Sequence, residues 1–110
     1  MAARESIPQG TLDVLVLNTL ERDVELHGFE IAEAISRRSG DVFQVEEGSL
    51  YPALQRMMVR GWIRGQWGRT VENRRARYYR ITAEGRRQLA RELVSYRRVT
   101  TAIAAILQPA

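Results

Sequence analysis

Residues 46–63, EEGSLYPALQRMMVRGWI, decide how this chain folds. Leu50, Ala53, Leu54, Met57 and Met58 recur at the spacing that lines one face of a helix, and Gly61 is placed to end it in the left-handed conformation glycine tolerates. Pro52 has no amide proton to give, so the helix is expected to begin no earlier than about Gly48, with its first turn around Ser49. Trp62 and Ile63 then open a β-prone stretch. With Leu50, Leu54 and Met57 turned to a core, Ser49, Tyr51, Gln55 and Arg56 are left for other surfaces. Met57 and Met58 read as core fillers.

Upstream, Leu12, Leu15, Val16 and Leu20 share one face of a helix over residues 11–20, and Val14 and Leu17 widen that stripe. Pro8 is expected in its opening turn. A second helix of about three turns runs from near His27 and Gly28 to Ser39 and Gly40, carrying Phe29, Ile31, Ala32 and Ile35 toward the core. The short β-prone piece Val42-Phe43-Gln44-Val45 links it to the third helix. Downstream, residues 62–81 hold two aromatic segments around a polar turn with Gly68 and Asn73, a hairpin pattern. Trp62, Ile63 and Trp67 are expected to anchor one strand, while Tyr79 and Ile81 alternate with Arg80 on the other. Thr82 has N-cap chemistry, and a single long helix follows to about Leu107. In it Leu89, Leu93, Tyr96, Thr100, Ile103 and Leu107 are spaced alternately by four and three, the seam by which helices pair side by side.

The resulting class is mainly α with a two-stranded β hairpin, a winged helix-turn-helix over residues 1–82 followed by a long C-terminal dimerisation helix over residues 83–110 in the same compact unit. A chain of 110 residues has room for one core and little more. It contains no cysteine and one histidine, so neither a disulfide framework nor a metal site built from several thiolate or imidazole ligands is expected. No catalytic group, metal or cofactor is expected either: His27 has no nucleophile motif beside it, and the adjacent Glu46 and Glu47 point in different directions. No run of 18 apolar residues occurs, and MAARESIPQG has no apolar stretch before a cleavage site, so no membrane association is expected and a cytoplasmic location is.

Charge is divided unevenly along the chain. Every basic side chain is arginine, and formal charge is about −6 over residues 1–55 and +10 over residues 56–110. Such asymmetry points to a polyanionic partner. Arg69, Asn73, Arg74, Arg75 and Arg77 surround the hairpin turn, where the arginines would repel one another unless phosphates or a narrow minor groove lay opposite. Winged helices also serve as protein-protein interaction modules, but an adaptor has little need of four arginines around one hairpin. Ser49, Tyr51, Gln55 and Arg56 then become candidates for base edges and phosphates of double-stranded DNA, glutamine suiting adenine and arginine guanine.

Taken in order, LDVLVLNTL, HGFEIAEAI, EEGSLYPALQRMMVRGWI and NRRARYYRITAEGRRQL resemble the signature blocks of PadR-like transcriptional regulators over roughly residues 8–92. That resemblance implies a homodimer that represses transcription from a palindromic operator, often relieved by a small-molecule effector. Phe29 stands where the family commonly has tyrosine, which removes a hydroxyl contact to DNA. The single helix after the hairpin is shorter than the helical domain of larger members, which leaves less wall for an effector pocket.

Overall fold

A computed structural model describes residues 4–8, 10–23 and 25–109. The elements follow in the order α1 (Leu12–Arg22), β1 (Leu26–His27), α2 (Gly28–Arg38), α3 (Glu47–Val59), β2 (Ile63–Arg69), β3 (Arg75–Ile81) and α4 (Ala83–Leu107). The hairpin is therefore part of a three-stranded antiparallel sheet ordered β1-β3-β2, with Leu26 opposite Tyr79 and His27 opposite Tyr78. Two residues are too short a strand to show alternation, so β1 left no pattern in the sequence.

Apolar side chains from all the larger elements meet in one core: Val16, Leu17 and Leu20 of α1, Ile31 and Ile35 of α2, Leu50, Leu54 and Met57 of α3, and Ile63, Tyr79 and Ile81 of the sheet. Leu12 and Leu15 lie at its margin, whereas Val14 and Leu17 are buried, so α1 is covered over a broader face than a single stripe. Pro8 falls ahead of the first turn of α1, its carbonyl accepting from the Thr11 amide. In α2 the buried positions are Gly28, Ile31, Ala34 and Ile35, and Phe29 is 68 % exposed. The helical phase explains this correction: Phe29 precedes Ile31 by two residues, about 200° around the helix, and so points away from the core. Residues 42–45 form no strand. Phe43 makes only an isolated bridge to Glu5, because Gly40 and Asp41, both at φ 64°, turn the chain sharply after α2.

Helix α3 starts at Glu47, earlier than its proline suggests. Pro52 thus leaves the Gly48 carbonyl without its usual helical donor, which is tolerated because Gly48 is exposed to water. At the other end Gly61 (φ 77°) donates to Met58 O and Trp62 donates to Met57 O, the paired bonds of a Schellman cap. Helix α4 begins at Thr82, whose hydroxyl accepts the Gly85 amide at 3.0 Å. Gly85 is buried against the Trp62 backbone, where even a methyl group would collide with the Trp62 carbonyl and the Ile81 side chain.

The long seam divides in two. Leu89 is 1 % exposed inside the domain's own core and so is no free surface for a partner, while Leu93 packs partly buried at its edge. Beyond them Tyr96, Val99, Ile103, Ile106 and Leu107 are exposed. Gly85→Ala is expected to destabilise the fold by about 3 kcal/mol, the upper end for overpacking, because the obstructing atoms are backbone. Thr82→Ala should cost about 1 kcal/mol through the lost cap. Urea denaturation of both variants checks the order; an alanine at position 85 with wild-type stability would show that the junction relaxes.

Candidate nucleic-acid interface

Helix α2, an eight-residue link over residues 39–46 and α3 form a helix-turn-helix. The link is held by its own polar groups: Asp41 N donates to Ser36 O at 2.8 Å, Phe43 N to the Ser39 hydroxyl at 3.1 Å, and the Ser36 hydroxyl to the Asp41 carboxylate at 3.3 Å. His27 caps α2, its Nδ1 accepting the Glu30 amide while the Glu30 carboxylate accepts the His27 amide. Both residues of this box are engaged locally. His27 also packs edge-on against Tyr78, with ring centroids 5.3 Å apart.

The outward face of α3 carries Ser49, Pro52, Gln55, Arg56 and Val59. Ser49 sits within the first turn, and Glu46 occupies the N-cap position, so Ser49 does not cap the helix. It instead borders the shallow concavity made with Ile7, Pro8, Gln44 and Val45. Arg56 leans the other way, pairing with Asp13 of α1 at 3.3 Å. Tyr51 is 46 % exposed and lies across the start of α2, where a Cβ on Gly28 would come within 3.0 Å of its hydroxyl oxygen. Gly28 is thus the small residue that lets the two helices of the motif close on each other.

Across from Tyr51 and Gln55 the hairpin forms the far wall of an open groove of about 940 Å³, lined there by Trp67, Arg74, Arg75 and Arg77. The structure therefore brings Tyr51 and Gln55 together with three of the wing residues singled out from the sequence, while Ser49 and Arg56 flank that groove rather than line it. Among the described residues, none of Arg69, Arg74, Arg75 and Arg77 forms an ion pair with a carboxylate. The wing turn is built from Thr70 to Arg74: Thr70 N donates to Arg74 O at 2.8 Å and Asn73 N to Thr70 O at 2.9 Å, with Asn73 at φ 64°. That is a type I turn closed by a left-handed residue, a position asparagine accepts at low cost. Arg69 donates to the Asn73 carbonyl at 3.2 Å, and the Tyr78 hydroxyl to the Arg69 carbonyl at 3.0 Å.

Trp67 corrects an expectation. It is 56 % exposed and is no core anchor, although Ile63 on the same face of β2 is buried. The hairpin simply projects beyond the helices that would cover it. On β3, burial holds the Tyr79 phenol protonated above its ordinary range, against the lowering pull of the nearby Arg77 charge. Among the described residues no group of three or more histidine, cysteine, aspartate or glutamate side chains is placed to hold a metal ion, and no helix is long and apolar enough to cross a membrane.

A helix-turn-helix with an arginine-lined wing beside its second helix defines a winged-helix protein. The chain belongs to the transcriptional regulator PadR-like family, whose model matches residues 16–91. It is 37 % identical over 92 residues to the uncharacterized protein X of Lysinibacillus sphaericus, covering 83 % of this chain and 82 % of that one. Among solved structures, a transcriptional regulator from Clostridium thermocellum superposes with a TM-score of 0.82 at 25 % identity, over 91 % of this chain and 96 % of that one. Bacillus subtilis PadR in complex with operator DNA superposes with a TM-score of 0.67 at 23 % identity, over 76 % of this chain and 48 % of that one.

The two roles open to Asn73 can be separated. Asn73→Gly should leave stability and duplex binding close to wild type if the side chain serves only the turn, whereas Asn73→Val should destabilise by about 1–2 kcal/mol through forced left-handed backbone. Thermal melts combined with a fluorescence-anisotropy titration of labelled duplex distinguish them; weak binding by a fully folded glycine variant would assign the amide to DNA.

Proposed function

We propose that this chain is a cytoplasmic transcriptional repressor that binds a palindromic double-stranded DNA operator as a homodimer, with α3 in the major groove and the wing on the backbone or minor groove. The observation that carries the reading is the single groove shared by Tyr51 and Gln55 of α3 and the wing residues Arg74, Arg75 and Arg77, which have no carboxylate partner among the described residues. Guanidiniums without internal counterions gain from displacing the cations condensed on a duplex. The Bacillus subtilis relative in complex with operator DNA, similar in fold, supports operator DNA as the partner.

Within this reading the roles divide. Gln55 and Tyr51 face the groove from α3 and are assigned to base edges. Arg74, Arg75 and Arg77 are assigned to phosphates at the groove, and Arg69, Ser49 and Arg56 to the backbone that flanks it. The exposed part of α4, from Tyr96 through Thr100, Ile103 and Leu107, is assigned to the second copy, since an exposed apolar stripe of this kind is covered in a stable protein. Two-fold pairing places two recognition helices roughly 34–36 Å apart, one turn of DNA.

Selection of bound fragments from random DNA by the purified protein, at stated salt, tests the reading; a palindromic consensus is expected, and failure to enrich any duplex overturns it. Gln55→Ala should cost on the order of 1–3 kcal/mol on the selected site and little on random duplex. Arg74→Ala should weaken both alike and lower the salt slope by about 1. Val99→Glu with Ile103→Glu, both at exposed positions, should leave the fold intact and yield monomers by sedimentation with weakened operator binding. A double variant that remains dimeric would remove α4 from the interface.

A further inference from the structure

Trp67 stands opposite Arg77 in the hairpin, and one step further along the same inner face Arg69 is opposite Arg75. The guanidinium carbon of Arg75 lies 4.3 Å from the centre of the Trp67 ring, and that of Arg77 lies 5.8 Å from it. One indole thus holds two cations. Arg77 is further confined by Gly65, where a Cβ would fall 2.5 Å from Arg77 Nε and 3.0 Å from Met58 Sδ. Among the described residues its buried Nε has no hydrogen-bond partner and neither arginine pairs with a carboxylate. Two neighbouring guanidiniums kept close without a counterion repel each other, and the stacking on Trp67 offsets only part of that repulsion.

We propose that Trp67 is a positioning residue for DNA binding: its ring presets Arg75 and Arg77 as a rigid pair across the groove from α3, where together they take one stretch of phosphodiester backbone. This rests on the DNA-binding reading above and adds to it a division among the wing arginines. A solvent-borne arginine loses rotamer freedom when it grips a phosphate, whereas one already stacked has lost much of it beforehand. The spacing favours a polyanion over a single carboxylate, because both cations open onto the same groove. Direct stacking of an unpaired base on Trp67 is disfavoured, since Arg75 already lies over the ring. Arg69, by contrast, is turned back to the Asn73 carbonyl and does not line the groove.

The test compares Trp67→Phe, Trp67→Gln and Arg75→Gln on two probes, the best duplex selected from random DNA and a random-sequence duplex, over a series of salt concentrations. Loss of the platform without loss of charge should weaken Trp67→Gln roughly three- to tenfold on both duplexes, the scale of ordering one or two long side chains, with the salt slope unchanged. Arg75→Gln should lower the slope by about 1. Trp67→Phe keeps an aromatic face and should recover most of the affinity, a rescue that a merely space-filling role would not require. Iodide quenching of Trp67 fluorescence in a Trp62→Phe background should fall when either duplex is added. Wild-type affinity in Trp67→Gln, a loss confined to the selected duplex, or equal losses in the Phe and Gln variants would each overturn the positioning role while leaving DNA binding intact. Absence of any duplex binding by the wild-type chain would instead overturn the DNA-binding reading, and this inference with it.

Discussion

The fold turns on the junction at Thr82, where three chain directions meet. Its hydroxyl accepts the Gly85 amide at 3.0 Å, and its one proton lies between the carbonyl oxygens of Gly61 at 2.6 Å and Trp62 at 3.0 Å. The Thr82 amide adds a bond to the Trp62 carbonyl at 3.0 Å. The end of α3, the root of the hairpin and the start of α4 are thereby fixed to one another within a few residues, and Gly85 lets the helix approach close enough for these bonds to form. Displacement of this junction would move the wing relative to α3 and change the width of the groove between them. Local capping chemistry and long-range geometry are here the same set of hydrogen bonds.

Charge is distributed around this frame in a way that stability alone does not call for. Several carboxylates of the acidic half are matched to arginines away from the hairpin turn: Asp13 to Arg56 at 3.3 Å, Glu25 to Arg80 at 3.6 Å and Glu33 to Arg37 at 3.9 Å. These pairs are solvent-exposed and each contributes at most about 1 kcal/mol. Their larger effect is on the potential, since they engage Arg56 and Arg80 locally, while among the described residues Arg69, Arg74, Arg75 and Arg77 of the wing form no ion pair. The core supplies the stability that such a wing does not, through tightly packed apolar side chains from all four helices and the sheet.

Periodicity made the four helices and the hairpin legible in the sequence, because each buries one face against a common core. What it could not convey was where that core ends. Phe29 and Trp67 are large and apolar, and composition gives no means of telling that one falls on the wrong side of its helix and the other on a strand that outruns its cover. The same limit applies in reverse to Leu89, which reads as part of a seam and is used inside the domain. The candidate site was legible as a set of residue types around α3 and the turn. Its division was not: that Tyr51, Gln55 and three arginines share one groove, while Arg56 is drawn to Asp13, depends on the relative placement of α1, α3 and β3.

Helix α4 shows how one apolar face can serve two purposes in succession. Leu89 and Leu93 close the domain, and Tyr96, Val99, Ile103 and Leu107 continue within about 100° of the same direction, whereas Val94 lies opposite. The 14 residues after Leu93 reach about 21 Å beyond the core at 1.5 Å per residue. Among the described residues no other element extends along them to cover that face, so the stripe that plugs the core is left open over more than half of the helix. In the proposed dimer a second copy of α4 would lie on it, making the interface a continuation of each domain's own core instead of a separate patch. The rigid root at Thr82 then has a further consequence. Because α4 and α3 are joined through the same few hydrogen bonds, the pairing of two α4 helices would set the separation and angle of two α3 helices, and the spacing of the half-sites would follow from the packing of apolar side chains far from the DNA.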